Sequence, residues 1–205
     1  MIERKIKEET FDVHLNDKKY YLNSKKLFGL WIYLMSDCIF FAVLFSVYAI
    51  NTFHFPKYLL IDNFFNLPSV FLETFILLLS SLSCGMIIIE KNKKNIKMIY
   101  LYLIITFLLG LVFLSIEINE FYELIKQNYG PTKHAFFSSF FALIGMHGIH
   151  ISIGLVWIVS MIYQLLRLGL TNNIQTRLLC FSLFWHFLDI IWICIFTFVY
   201  LNGVI

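Results

Sequence analysis

A few ionisable side chains interrupt the long apolar stretches of this sequence, and they are the residues whose chemistry could matter. Charged residues make up 14% of the 205 positions, against about 25% in an average soluble domain. A carboxyl or imidazole group inside a membrane span is costly, so it usually faces the protein interior and pairs there or handles protons. The candidates for buried pairing, proton transfer or lipid contact are Asp37, Glu73, Glu117, Glu120, His147, His150, His186 and Asp189.

His186 and Asp189 are three residues apart, a spacing that places both side chains on one face of a helix. At about 1.5 Å of rise per residue, Asp189 and Asp37 each lie roughly 15 Å along their helices, near the middle of a membrane. A carboxylate at that depth requires a partner or a proton. We therefore expect a His186–Asp189 pair that fixes helix packing, with proton handling as the alternative role.

Two imidazoles one turn apart, His147 and His150 in the segment GMHGIH, raise the question of a metal or haem site that includes His186. Zinc proteases require H-E-x-x-H and ferritin-like di-iron sites require Glu-x-x-His on two helices, but no Glu here has a His three residues after it. The four cysteines form no C-x-x-C pair, so a thiolate site has no support. Haem ligation stays open on spacing alone, because axial histidines can come from different helices.

Glu117, Glu120 and Glu123 recur every three residues near the end of the third apolar stretch. A solvated helix end is the simplest interpretation of this pattern, and we adopt it for Glu123. Glu73 lies a few residues inside the second stretch, where it would face a cleft or the headgroup layer. Aromatic residues near the borders of the stretches, Tyr48 and Tyr200 among them, are typical of interfacial belts.

Five apolar stretches position these residues, and each meets or approaches the roughly 20 residues that a transmembrane helix needs. The sequence therefore predicts an all-α polytopic membrane protein, a bundle of five transmembrane helices. An N-terminal tail of residues 1–26, without the apolar core of a signal peptide, precedes a single transmembrane domain of residues 27–205. The predicted spans are 27–50, 68–89, 98–118, 135–166 and 178–202.

The net charge of +3 is too small to suggest nucleic-acid binding. The basic residues instead cluster at the ends of the spans. Seven Lys and Arg precede the first span, four lie between the second and third, and two between the fourth and fifth. The opposite side has three, and the C-terminal end has none. Because cytoplasmic loops carry more Lys and Arg, we expect a cytoplasmic N-terminus and a C-terminus on the outer side.

Each stretch also carries a longer motif. In chain order these are FGLWIYLMSDCIFFAVLFSVYA, ETFILLLSSLSCGM, FLSIEINEF, GMHGIHISIGLVWI and FWHFLDIIWICIFTFVYLNG. Together, from about Lys26 onward, they resemble the subunit III family of haem–copper oxidases, most closely its bo-type (cytochrome o) ubiquinol oxidase branch. That branch is favoured by five helices rather than the seven common in the cytochrome c branch, and by Asp37 where that branch usually has Glu.

The resemblance implies a non-catalytic accessory subunit of a proton-pumping terminal oxidase of the aerobic respiratory chain, which oxidises ubiquinol and reduces oxygen to water. It implies no haem, copper or catalytic residue in this chain, since these belong to subunit I, the main partner beside other oxidase subunits and membrane lipids. The implied role is to stabilise subunit I in a bacterial cell (inner) membrane, with lipid binding or proton supply as further roles. The alternatives are a stand-alone membrane haem redox protein and a small proton-coupled carrier.

Overall fold

The computed structural model describes residues 2–53, 67–127 and 129–201, with the side chains of residues 24–52, 68–127 and 129–201. Every regular element in these ranges is helical. The five long helices are α1 Ile2–Phe53, α2 Leu67–Asn92, α3 Ile96–Lys126, α4 Ala135–Leu168 and α5 Asn172–Ile195, and a π-helical segment, Phe196–Leu201, continues α5.

All five helices are long and apolar enough to cross a membrane, so the predicted five-span all-α architecture is confirmed. The membrane-compatible parts are Ser24–Thr52, Pro68–Asn92, Ile96–Lys126, Ala135–Leu168 and Asn172–Leu201. The third is longer than the predicted span 98–118, because the acidic segment that follows residue 118 is also helical. Position 202, the predicted end of the fifth span, lies outside the described residues.

Local signals set several helix boundaries. Pro68 occupies the first turn of α2, where its missing N–H costs no hydrogen bond. His134 caps α4, its Nδ1 accepting from the Phe136 N–H at 3.2 Å. Gly169, with φ of 62°, follows α4 in the left-handed region that glycine adopts readily. These residues set helix boundaries close to the boundaries of the apolar stretches.

The turn between α2 and α3 is short and charged. Lys94 adopts a φ of 57°, and the Asn95 N–H donates to the Glu90 carbonyl at 3.2 Å. Lys93 Nζ donates to Glu90 Oε1 at 2.9 Å, and this bond together with the carboxylate charge raises the pKa of Lys93. The turn therefore keeps this lysine ionised at the predicted membrane edge.

The chain divides into two units within α1, Met1–Asp37 and Cys38–Ile205. In the first unit the helix begins at Ile2, so it already includes the segment predicted as the N-terminal tail. Tyr33 and Asp37, one turn apart there, are joined by a side-chain hydrogen bond.

In the second unit, α2 to α5 form a ring in which each helix packs against two neighbours. α2 packs against α3 and α5, and α4 packs against the same two helices. The part of α1 in this unit lies along α4, with ring centroids 5.3 Å apart for Phe41 and His150 and 5.5 Å apart for Tyr48 and Phe136.

Trp185 of α5 fills the centre of this ring of helices. The side chain is 2% exposed. A methyl group added at Gly154 of α4 would lie 2.8 Å from Trp185 Cζ3, and one at Gly110 of α3 would lie 3.2 Å from Trp185 Cη2. Glycine at these two positions therefore lets three helices close around one indole ring.

Candidate functional site

Three polar side chains of α5 meet hydroxyl groups of α2 inside the bundle, and we call these pairs the hydroxyl ladder. The pairs are Trp185–Ser80 (Nε1 to Oγ, 2.8 Å), His186–Ser81 (Nδ1 to Oγ, 2.8 Å) and Trp192–Thr74 (Nε1 to Oγ1, 3.2 Å). In both tryptophan pairs the indole N–H donates to the hydroxyl. From Trp185–Ser80 to Trp192–Thr74 the residue number rises along α5 and falls along α2, so the two antiparallel helices are held in one register.

His186 also lies beside Asp189, the residue predicted as its partner. Nδ1 of His186 is 3.7 Å from Asp189 Oδ2, an ion-pair distance that exceeds hydrogen-bond length. Asp189 is 6% exposed, and neither carboxylate oxygen has a hydrogen-bond partner among the described residues. The structure brings the two side chains together, while the hydrogen bond of His186 goes to Ser81 on another helix.

Four titratable side chains meet toward the end of the bundle where α2 begins and α5 ends, and we call them the acid layer. They are Glu73 of α2, Glu117 and Glu120 of α3, and Tyr200 of the π-helical segment. Glu73 interacts electrostatically with both other glutamates, and Tyr200 with all three. The Tyr200 O–H donates to Glu120 Oε2 at 3.3 Å. Within the described ranges, the oxygens of Glu73 and Glu117 have no hydrogen-bond partner.

Glu117 lies directly against α4. A methyl group added at Gly148 would be 2.8 Å from Glu117 Oε1. Glycine at position 148 therefore makes room for the carboxyl group of Glu117, a residue that is 3% exposed.

His147 and His150, one turn apart on α4, have different surroundings. The fully buried His147 ring stacks on Trp192 with centroids 5.3 Å apart and lies edge-on to Phe113 at 6.0 Å. Neither of its nitrogens has a hydrogen-bond partner in the part of the chain that the structure describes. His150 Nδ1 is 2.8 Å from the Met146 carbonyl oxygen, one turn back along the helix.

The comparison with known proteins decides the family. The family model for cytochrome c oxidase subunit III matches residues 6–204. This chain belongs to the subunit III family. The resemblance of the five motifs to that family is therefore confirmed.

Three relatives share the name cytochrome bo(3) ubiquinol oxidase subunit 3. The protein of Buchnera aphidicola subsp. Schizaphis graminum (strain Sg) is 66% identical over 184 residues, which cover 90% of this chain and 97% of that protein. That of Buchnera aphidicola subsp. Acyrthosiphon pisum (strain APS) is 60% identical over 205 residues, all of both chains. That of Pseudomonas aeruginosa is 45% identical over 190 residues, 93% of this chain and 91% of that protein.

Subunit III is a family without cofactors of its own. Among the residues that the structure describes, no three or more His, Cys, Asp or Glu side chains are arranged to hold a metal ion. The histidines considered above as ligands instead contact aromatic rings, a backbone carbonyl and a serine hydroxyl.

The structure distinguishes the three glutamates of α3 and corrects one interpretation of the subunit III sequence. α3 continues to Lys126, with Glu117 buried, Glu120 half-buried and Glu123 exposed, as expected. Tyr48 and Tyr200 do not belong to interfacial belts, since they are 5% and 1% exposed.

Sequence reasoning also missed the hydroxyl partners on α2. The run SSLS, in the middle of an apolar stretch, is the signal that could have found two of them, because hydroxyl groups at that depth need partners. Nothing comparable marks Thr74. Asp37 lies in the first unit, where its described partner is Tyr33.

Proposed function

We propose that this chain is the non-catalytic third subunit of a bo(3)-type ubiquinol oxidase, the terminal enzyme of an aerobic respiratory chain. The observation that carries the proposal is its alignment with relatives of that name, one of which it matches at 60% identity over all 205 residues. In this role it stabilises a large subunit I, which holds the haem and copper, oxidises ubiquinol and reduces oxygen to water.

The surroundings of the histidines support this division of labour. His147 is enclosed by aromatic rings, while His150 and His186 each have a hydrogen bond within the chain. Because subunit III is a family without cofactors of its own, we assign the redox chemistry to the partner subunit.

The chain lies in a bacterial cell (inner) membrane, with residues 1–26 on the cytoplasmic side and residues 27–205 as the membrane domain. The lysines of the α2–α3 turn support this orientation, because Lys91, Lys93, Lys94 and Lys97 all lie at that one edge. The C-terminus then lies on the outer side.

Proton exchange is a second candidate function, favoured by the acid layer. Glu73 and Glu117 are buried carboxyl groups whose oxygens have no hydrogen-bond partner within residues 67–127 and 129–201. Groups of this kind inside membranes often carry protons. Asp37→Asn, Glu73→Gln and Glu117→Gln test this role in the intact oxidase, because a wild-type proton-to-electron ratio in all three variants excludes it.

Purification of the tagged chain from its membrane in mild detergent tests the main proposal. We expect a haem-bearing large subunit to co-purify with it, and we expect the chain expressed alone to be colourless. A stoichiometric haem band in the isolated chain contradicts the proposal. Proton-driven solute uptake by vesicles that contain only this chain also contradicts it.

A further inference from the structure

His186 is a polar side chain that reaches the surface of the chain in the middle of the membrane. It lies halfway along the 30-residue span Asn172–Leu201, and its side chain is 41% exposed. The hydrocarbon core is about 30 Å thick, so the headgroups lie roughly 15 Å away, beyond the reach of an imidazole. An exposed ring at this depth therefore meets either acyl chains or another protein.

One nitrogen of His186 has no partner among the described residues. Ser81 Oγ engages Nδ1 at 2.8 Å, and Nε2 forms no hydrogen bond within residues 67–127 and 129–201. The nearby Asp189 carboxylate lies on the Nδ1 side, 3.7 Å away. Acyl chains offer no donor or acceptor, so lipid would leave Nε2 unsatisfied at a cost.

The exposed hydroxyl groups on other spans differ from His186 in this respect, because they bond to their own helices. Ser46 Oγ donates to the Ala42 carbonyl at 2.9 Å, and Ser115 Oγ donates to the Leu111 carbonyl at 2.8 Å. Such groups can face lipid without an outside partner. His186 cannot do so.

The surface beside His186 has the shape that a packed helix needs. Gly85 is one turn from Ser81 on the same face of α2, so the two form a small-x-x-x-small pair. A methyl group added at Gly85 would meet nothing within 4 Å, in contrast to Gly148 and Gly154. The backbone of a second helix can therefore approach α2 closely, next to the imidazole.

We propose that Ser81, Gly85 and His186 form a docking face for a transmembrane helix of the large oxidase subunit, which supplies a hydrogen-bonding group to His186 Nε2. The inference rests on the proposed function and names the contact through which that function is carried out. The name that the relatives share, subunit 3 of an oxidase, implies a complex with other oxidase subunits, so a helix of the large subunit is the occupant to which we commit. A second copy of this chain is the alternative that cross-linking distinguishes.

Variants in the intact oxidase test the docking face. Gly85→Leu blocks close approach, His186→Leu removes the polar group, and His186→Gln keeps a hydrogen-bonding side chain. The matched control is Ser115→Leu, a bulky substitution on the exposed face of α3. The readouts are the amount of haem-bearing subunit that co-purifies and the helical content and monodispersity of each variant chain expressed alone.

We expect His186→Leu to lower co-purification roughly threefold to tenfold, the range for one interhelical hydrogen bond in a membrane. Gly85→Leu should lower it at least as far, because the added side chain prevents close approach of the second helix. His186→Gln should retain most of it and Ser115→Leu all of it, with every isolated chain folded. Wild-type co-purification by both Gly85→Leu and His186→Leu overturns the docking face but not the proposed function. Failure of the wild-type chain to co-purify overturns the function itself.

Cross-linking identifies the occupant of the face. Single cysteines are introduced along the lipid-facing helices of the large subunit and combined with Gly85→Cys in this chain. Native membranes are then treated with a bifunctional maleimide or an oxidant, and we expect an adduct between the two subunits. Cross-linked homodimers of this chain in place of that adduct overturn the assignment.

Discussion

Each polar side chain of the hydroxyl ladder has a partner on α2, whereas Glu73 and Glu117 of the acid layer have none among the described residues. Both regions lie inside the same ring of helices. The ladder pairs two indole N–H donors and an imidazole with hydroxyl groups, and such groups cost little to bury once they are paired. The acid layer contains buried carboxyl groups whose desolvation is not offset by a hydrogen bond to a described residue, so it gains less from burial. The hydroxyl ladder is suited to fixing the register between α2 and α5, and the acid layer is suited to proton exchange.

The two regions also differ in how freely the side chains that contact their glycines can move. Gly154 lies against the rigid ring of Trp185, and Gly148 lies against the carboxyl end of the flexible Glu117 side chain. A ring held on both sides cannot move away, but a glutamate can change rotamer. The ladder should therefore respond more strongly to substitution than the acid layer.

Trp185→Ala should give the largest loss, about 3–5 kcal/mol in the free energy of unfolding. The substitution removes the ring between Gly110 and Gly154 and leaves Ser80 without its donor. Denaturation of the detergent-solubilised chain, followed by circular dichroism, measures it. Trp31→Ala, at a residue 48% exposed, is the control and should change stability little. Similar losses in both variants contradict the central role of Trp185.

A pair of glycine variants compares the two regions directly. Gly154→Ala should cost about 1–3 kcal/mol through overpacking against Trp185. Gly148→Ala should cost less, because Glu117 can move. The same unfolding assay measures both, and a larger loss for Gly148→Ala would show that the acid layer is the more rigid region.

Ser80→Ala should cost about 1–2 kcal/mol, because it leaves the buried Trp185 indole N–H unsatisfied. Ser115→Ala is the matched control, since that exposed hydroxyl bonds only to its own helix. Thermal unfolding of the two variants in the same detergent measures the difference. No difference between them would mean that the ladder bonds contribute no net stability.

Glu117→Gln should have the smallest effect, under about 1 kcal/mol, because the side chain keeps its shape and loses no hydrogen bond to a described residue. Its comparison variant is Thr74→Val, which removes the acceptor of Trp192 and should be more destabilising. A loss for Glu117→Gln that equals the loss for Thr74→Val would indicate that the acid layer is held together by its charge.

Much of the fold could be predicted because lipid imposes one simple requirement, a run of about 20 apolar residues. The five spans can be located from it. The end of α3 could not, because Glu117, Glu120 and Glu123 look alike in sequence and only the last is exposed. Burial of the first two depends on α2 and α4, which hydropathy along one helix cannot reveal.

The candidate site could be predicted in its acids and histidines but not in its contacts. The spacing of His186 and Asp189 brings them together within one helix, whereas the bonds to Ser80 and Ser81 depend on the register between α2 and α5. That register depends on packing around Trp185. Tyr200 was missed for a further reason, because its direction depends on a π-helical turn that no spacing rule anticipates.

The π-helical segment Phe196–Leu201 makes the end of the fifth span sensitive to chain length. A π turn holds about one residue more than the α turn that it replaces. The number of residues in the segment and its π geometry together set the direction in which Tyr200 faces Glu120. We expect related sequences to vary the exposed side chains of this segment while keeping its number of residues constant.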